Sequence, residues 1–126
     1  MNAYEETIEF VRNNCYENYA NEFKNFEPIM NKNIINCSRE EIKSTGYVID
    51  TLEAVFWLFF TKNSYEEMVL GAVNLGGDTD TIAAIVGGIS GIYYGFNELP
   101  DRWVQNVERK NDIKELISCF NCEISK

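Results

Sequence analysis

Histidine is missing from all 126 residues. That removes the commonest general base, the usual Ser-His and Cys-His pairings, and imidazole metal sites. Any chemistry must therefore run on carboxylates, hydroxyls, thiols or metal-bound water. Basic residues are scarce too: 11 Lys and Arg stand against 20 Asp and Glu, for a net charge of −9. Such a balance argues against nucleic acid or anionic membrane as a default partner. Cysteine is limited to Cys15, Cys37, Cys119 and Cys122. Only the last two have a C-x-x-C spacing, with no second pair to finish a zinc site. Idle reduced thiols in a cytoplasmic setting are the expectation. No apolar run reaches membrane-spanning length, and the acidic start MNAYEETIEF does not read as a signal peptide.

What is there points to one helical unit spanning 1–126. A composition 45% hydrophobic and 13% aromatic supports a packed core. From Ala3 to about Phe26, apolar Ile8, Phe10, Val11, Cys15, Tyr19 and Phe23 recur at roughly helical steps, with Glu5, Glu6, Glu9 and Glu17 between them. Pro28 sets a boundary near Glu27. Ser38 and Glu41 have the form of a capping box, predicting a short helix before Gly46, and Ser64 and Glu67 repeat it. Between these boxes, Tyr47 to Phe60 is nearly all apolar. Asp50 and Glu53 share one of its faces, either as an exposed edge or as a border of the site described next. Further helices are expected from Asp80 to Tyr94, after Pro100, and from Asn111 to about Phe120. No strand pattern appears.

The chain centres on Asn74 to Gly95, NLGGDTDTIAAIVGGISGIYYG. A Gly76-Gly77 turn delivers Asp78, Thr79, Asp80 and Thr81 to the start of a helix, whose free N–H groups and positive dipole end favour anions. Simple N-capping would account for Asp78 or Thr79 alone. Two carboxylates with two hydroxyls exceed that need, and as hard oxygen donors they suit magnesium, manganese or calcium. The spacing of Ala83, Gly87, Gly91 and Gly95 predicts close helix packing and no chemistry.

This stretch resembles the C-terminal signature of the ADP-ribosylglycohydrolase family. GYVIDTLEAVFW at Gly46 to Trp57 and LPDRW at Leu99 to Trp103 agree with it, so the resemblance runs from about residue 44 to about 120, with 1–43 as a helical extension. It implies an all-α orthogonal helical bundle and hydrolysis of the bond joining ADP-ribose to an acceptor. It further implies a two-metal centre of Mg2+, or Mn2+, with Asp78, Asp80 and Thr81 among the ligands. Gly46, Tyr47, Asp50 and Gly77 would line the ADP-ribose pocket, with Tyr47 against the adenine. The family's N-terminal half brings a Gly-Asp and a Thr-Asp-Asp motif. No Thr-Asp-Asp occurs here, and residues 1–43 hold no aspartate. The resemblance therefore implies a site completed by a second copy or a complementary N-terminal polypeptide. A non-catalytic ADP-ribose-binding module, or a helical remnant that self-associates, is the alternative.

Overall fold

In a computed structural model, which describes residues 3–125 apart from the side chain of Tyr16, the centre is a triangle of three helices. The outermost residues of the expected single domain lie outside the described ones. The first helix of the triangle, α3 (Val48–Thr61), buries Thr51, Ala54, Val55 and Leu58. Those positions are three or four apart, so they form one stripe. Leu58 has no exposed surface, and full burial of such a side chain stabilises by about 1.5–3 kcal/mol. Trp57 joins the core and donates its indole N–H to the Cys37 carbonyl at 2.9 Å, which satisfies its one polar atom.

Ser64 starts α4 (Tyr65–Asn74) as the pattern predicts: its hydroxyl accepts from the Glu67 N–H at 3.1 Å. The Glu67 carboxylate reaches back one residue further than the standard box, accepting from Asn63 N–H at 3.0 Å. Ser64→Ala is expected to cost about 1 kcal/mol of stability, read as a lower urea midpoint at unchanged slope. Met68 and Ala72 point inward from α4. They meet Ile82 and Val86 of α5 (Thr79–Tyr94), and this is the most heavily packed helix pair described. Gly87 and Gly91 face Tyr65 and Val69 of α4: a Cβ at Gly87 would lie 3.5 Å from the Tyr65 hydroxyl. Small residues here set the helix spacing, as expected. Buried Ser90 donates to the Val86 carbonyl at 2.6 Å.

The flanks are less regular than the sequence predicts. The first expected helix stops early: α1 covers Ala3–Tyr19, and Glu22–Phe26 tightens into a 3₁₀ turn. Glu27–Met30 forms a one-turn α2, with Pro28 at its start where no N–H is needed. Tyr4 ties this flank down. Its hydroxyl donates to the Ile29 carbonyl, and its ring meets Phe56 and Phe60 of α3 at 5.9 and 5.1 Å.

No helix forms at Ser38. The Glu41 carboxylate accepts from Ser38 N–H at 2.7 Å, so half of the box is present, but it closes only a turn. Arg39 is the competitor. Its guanidinium donates to the carbonyls of Ile42 and Leu75, pinning the segment to the end of α4. Beyond the triangle, α6 (Asp101–Asn106) follows Pro100 and sets Trp103 against Tyr65 at 6.1 Å. The last helix, α7 (Lys110–Ile124), starts one residue earlier and runs four residues further than predicted. Among the described residues the fold is all-α, with no strand and no helix long and apolar enough to cross a membrane.

Candidate functional site

Two segments 31 residues apart meet at the C-terminal end of α4. Gly76 and Gly77 turn the chain with φ of +76° and +66°, the left-handed region that glycine enters without penalty. At Gly77 space is as decisive as angle: a Cβ would lie 2.1 Å from the Ser44 carbonyl oxygen. That carbonyl accepts from the Asp78 N–H at 2.8 Å. The Ser44 hydroxyl adds a bond to the Leu75 carbonyl at 3.3 Å. The segment from Ser44 to Tyr47 is thus laid against the glycine turn by backbone contacts, and only glycine at 77 lets it lie so close.

The docked loop has its own internal order. Thr45 donates its hydroxyl to Asp50 at 2.6 Å and accepts from the Tyr47 N–H at 3.1 Å. Thr51 donates to the Thr45 carbonyl at 3.3 Å. Asp50 therefore acts on the start of α3 through Thr45, holding Gly46 and Tyr47 in place. Gly46 comes closest to the acidic turn, its Cβ position 3.5 Å from Asp78 Oδ2. Tyr47 projects with 59% of its surface exposed.

At the head of α5, Asp78 does not cap the helix: its side chain makes no capping bond to a backbone N–H. It accepts instead from the Thr81 hydroxyl at 2.9 Å. Asp78 is half-buried, while Asp80 and Thr81 are exposed. The Asp80 carboxyl is held below the ordinary carboxylate range, first by the Thr81 backbone N–H and then by the Asp78 side chain. Both effects favour the ionised form in which a carboxylate binds a cation. On α3, burial and then the charge of Asp50 push the Glu53 carboxyl upward, against a weaker pull from Lys43.

Asp78, Asp80, Thr81, Gly77 and Gly46 are thus brought together, with Tyr47 the exposed chain neighbour of Gly46 and Asp50 tied to that loop through Thr45. The sequence does not single out Ser44 or Arg39, although both hold the two segments together. Their roles rest on backbone carbonyls, which leave no mark on residue identity. Cavities of about 430 and 450 Å³ open elsewhere, beside α1 and α2, and their walls include none of these residues. Neither gathers a pair of aspartates.

The donor set can be matched to the metal that the resemblance implies. Two aspartates and a threonine hydroxyl are hard oxygen donors of the kind magnesium takes. Among the described residues no third acidic or thiol side chain joins them. The set fits one side of a six-oxygen shell, leaving the rest to water or another polypeptide.

Comparison with known proteins bears on the same residues. A family model described as ADP-ribosylglycohydrolase matches residues 2–124, taking in the N-terminal helices as well as the glycine turn. The chain is 40% identical over 79 residues to ADP-ribosylarginine hydrolase Tri1 of Pseudomonas putida, covering 63% of this chain and 21% of that protein. It is 31% identical over 68 residues to ADP-ribosyl-[dinitrogen reductase] glycohydrolase of Rhodospirillum rubrum, covering 54% of this chain and 23% of that protein. With ADP-ribosylhydrolase ARH3 of Mus musculus it shares 32% over 105 residues, covering 71% of this chain and 28% of that protein. The chain therefore spans between 21% and 28% of the length of these relatives.

Proposed function

Because the chain belongs to the ADP-ribosylglycohydrolase family, we propose that it carries the metal- and ADP-ribose-binding part of a glycohydrolase site. The reaction would cleave the glycosidic bond between ADP-ribose and a modified side chain or related acceptor. What supports the reading is the behaviour of Asp78. A capping residue would bond the helix N–H groups, whereas this carboxylate accepts from Thr81 and lies beside Gly46.

Asp78, Asp80 and Thr81 would hold Mg2+, or Mn2+, each through a side-chain oxygen. Bound there, the cation would supply Lewis-acid polarisation and orientation of the ribose hydroxyls and a water nucleophile. Gly77 lets the Ser44 segment close on the acidic turn, and Gly46, lacking a side chain, leaves the space beside Asp78 to a diphosphate or ribose. Tyr47 offers an exposed ring for the adenine face, and Asp50 keeps that loop in position through Thr45. The remaining oxygen ligands and the acid that protonates the leaving group would come from outside residues 1–126, as from a second copy or a complementary N-terminal segment. With four free thiols, the chain suits the reducing cytoplasm.

The second reading is an ADP-ribose-binding module without turnover. The presence of only two carboxylates at the turn among the described residues favours it. Calorimetric titration of ADP-ribose into the full chain, with magnesium and then with a chelator, decides first. Metal-dependent heat supports the proposal, and equal binding in chelator supports the module without a metal role. No heat under either condition removes both. Release of ADP-ribose from an ADP-ribosylated arginine peptide then separates hydrolase from module.

A further inference from the structure

Two apolar surfaces on this chain are left bare, and they match each other. The first lies on α5. Its exposed side, beginning at Thr81, presents Ala84, Ile85, Gly88, Ile89 and Ile92. No Asp, Glu, Lys or Arg falls between Thr81 and Tyr94, and Ile92 stands 88% exposed. The second is α7, in which no residue is buried. Ile113, Leu116, Ile117, Phe120 and Ile124 recur there at three- and four-residue steps and are all exposed. The spacing puts them on one stripe, with Lys114, Glu115 and Cys122 on the other side of the helix. Only Val107, Glu108 and Arg109 join α6 to α7, and Arg109 adopts a left-handed φ of +55°. This connection leaves α7 off the bundle, without extensive packing on its own α5.

Soluble proteins seldom leave surfaces of this kind uncovered. From these two surfaces we propose that the chain forms a symmetric dimer in which α7 of each copy lies along the exposed side of α5 of the other. The two helices are 16 and 15 residues long, each about 23 Å at 1.5 Å per residue. Ala84 and Gly88 form a shallow strip that admits a neighbouring helix closely, with the isoleucines as its walls. A Cβ at Gly88 would meet nothing within 4 Å in the single chain, so the space above it is open to a partner. Weighted by their exposure, the eight large apolar side chains of the two surfaces hold roughly 850 Å² per chain at about 180 Å² each, close to what one partner gives a stable interface. A second copy is the fitting occupant because each chain brings both halves of the contact. A two-fold axis then satisfies all four surfaces at once.

The inference deepens the partner part of the proposed function, and its test reads assembly rather than nucleotide binding, so the two fail separately. Sedimentation velocity of the full chain at about 20 µM is expected to show a dimer. Gly88→Glu places a charge where the single chain has room, and Leu116→Glu places one on the α7 stripe. Each variant is expected to sediment as a monomer with the helical circular dichroism of the parent. Mixing the two is the sharper arm. One variant retains its α7 and the other its α5, so one of the two contacts survives and a weaker heterodimer returns. A monomeric parent, a dimer indifferent to both charges, or a mixture that stays monomeric despite folded components would each overturn the proposal. A parent that becomes heterodimeric only with a foreign polypeptide counts as a monomeric parent here.

Discussion

Gly77→Ala is expected to destabilise the protein by about 2–4 kcal/mol, from a left-handed backbone penalty of about 1–2 kcal/mol and the loss of a docked contact. The backbone at 77 has φ of +66°, where a Cβ crowds its own carbonyl. The added carbon would also lie 2.1 Å from Ser44 O and 3.1 Å from Ser44 C. Those are backbone atoms, which cannot rotate away as a side-chain tip would. The 44–47 segment has to lift, and the 2.8 Å bond from Asp78 N–H to the Ser44 carbonyl breaks with it. Gly76→Ala is the control. Its φ of +76° carries the same angular penalty, but its Cβ would meet nothing within 4 Å. The difference between the two urea midpoints measures the docking of the loop alone. Equal losses would show that the loop does not rest on the turn in solution.

The same contact marks the limit of what could be read from residues. The glycine pair, the acidic run after it and the helices on either side were all legible, because turns and apolar periodicity are local. Helices α3 and α5 begin and end within a residue of their predicted limits, and α4 begins where the Ser64 capping box places it. The docking of Ser44 on Gly77 was not legible, since it joins residues 33 apart through a carbonyl that every residue type possesses. The two capping boxes make the same point from the other side. Ser64 and Ser38 carry equivalent local signals, yet only Ser64 opens a helix. Arg39, held by the carbonyls of Leu75 and Ile42, makes the Ser38 segment a strap across the end of α4. A tertiary bond overrode a local one. Nor does periodicity say whether an apolar stripe is covered. The stripes of α3 and α7 are alike in spacing, and one forms the core while the other is left exposed by its own chain.

Replacing both Asp78 and Asp80 by Asn is expected to abolish the magnesium dependence of ADP-ribose binding while leaving the fold intact. Asparagine keeps the size of each side chain and an oxygen able to accept from the Thr81 hydroxyl, now 2.9 Å from Asp78 Oδ1. Two negative charges disappear from a place where the helix end favours each by about 0.3–1 kcal/mol, so stability should move by no more than about 2 kcal/mol. A cation that relied on two carboxylates retains only neutral donors, and magnesium affinity falls by at least tenfold, a fold-change equal to about 1.4 kcal/mol. Tyr47→Ala should act differently. Its ring is 59% exposed and takes part in none of the ring contacts described. Loss of aromatic stacking on a base costs about 1–3 kcal/mol, so binding should weaken roughly 5- to 150-fold with the magnesium response preserved. Calorimetry on the three proteins separates the two contributions, because one variant removes the response to metal and the other removes affinity at every metal concentration. If the double variant titrates like the parent, the carboxylates have no part in binding, and the acidic turn is only the start of a helix.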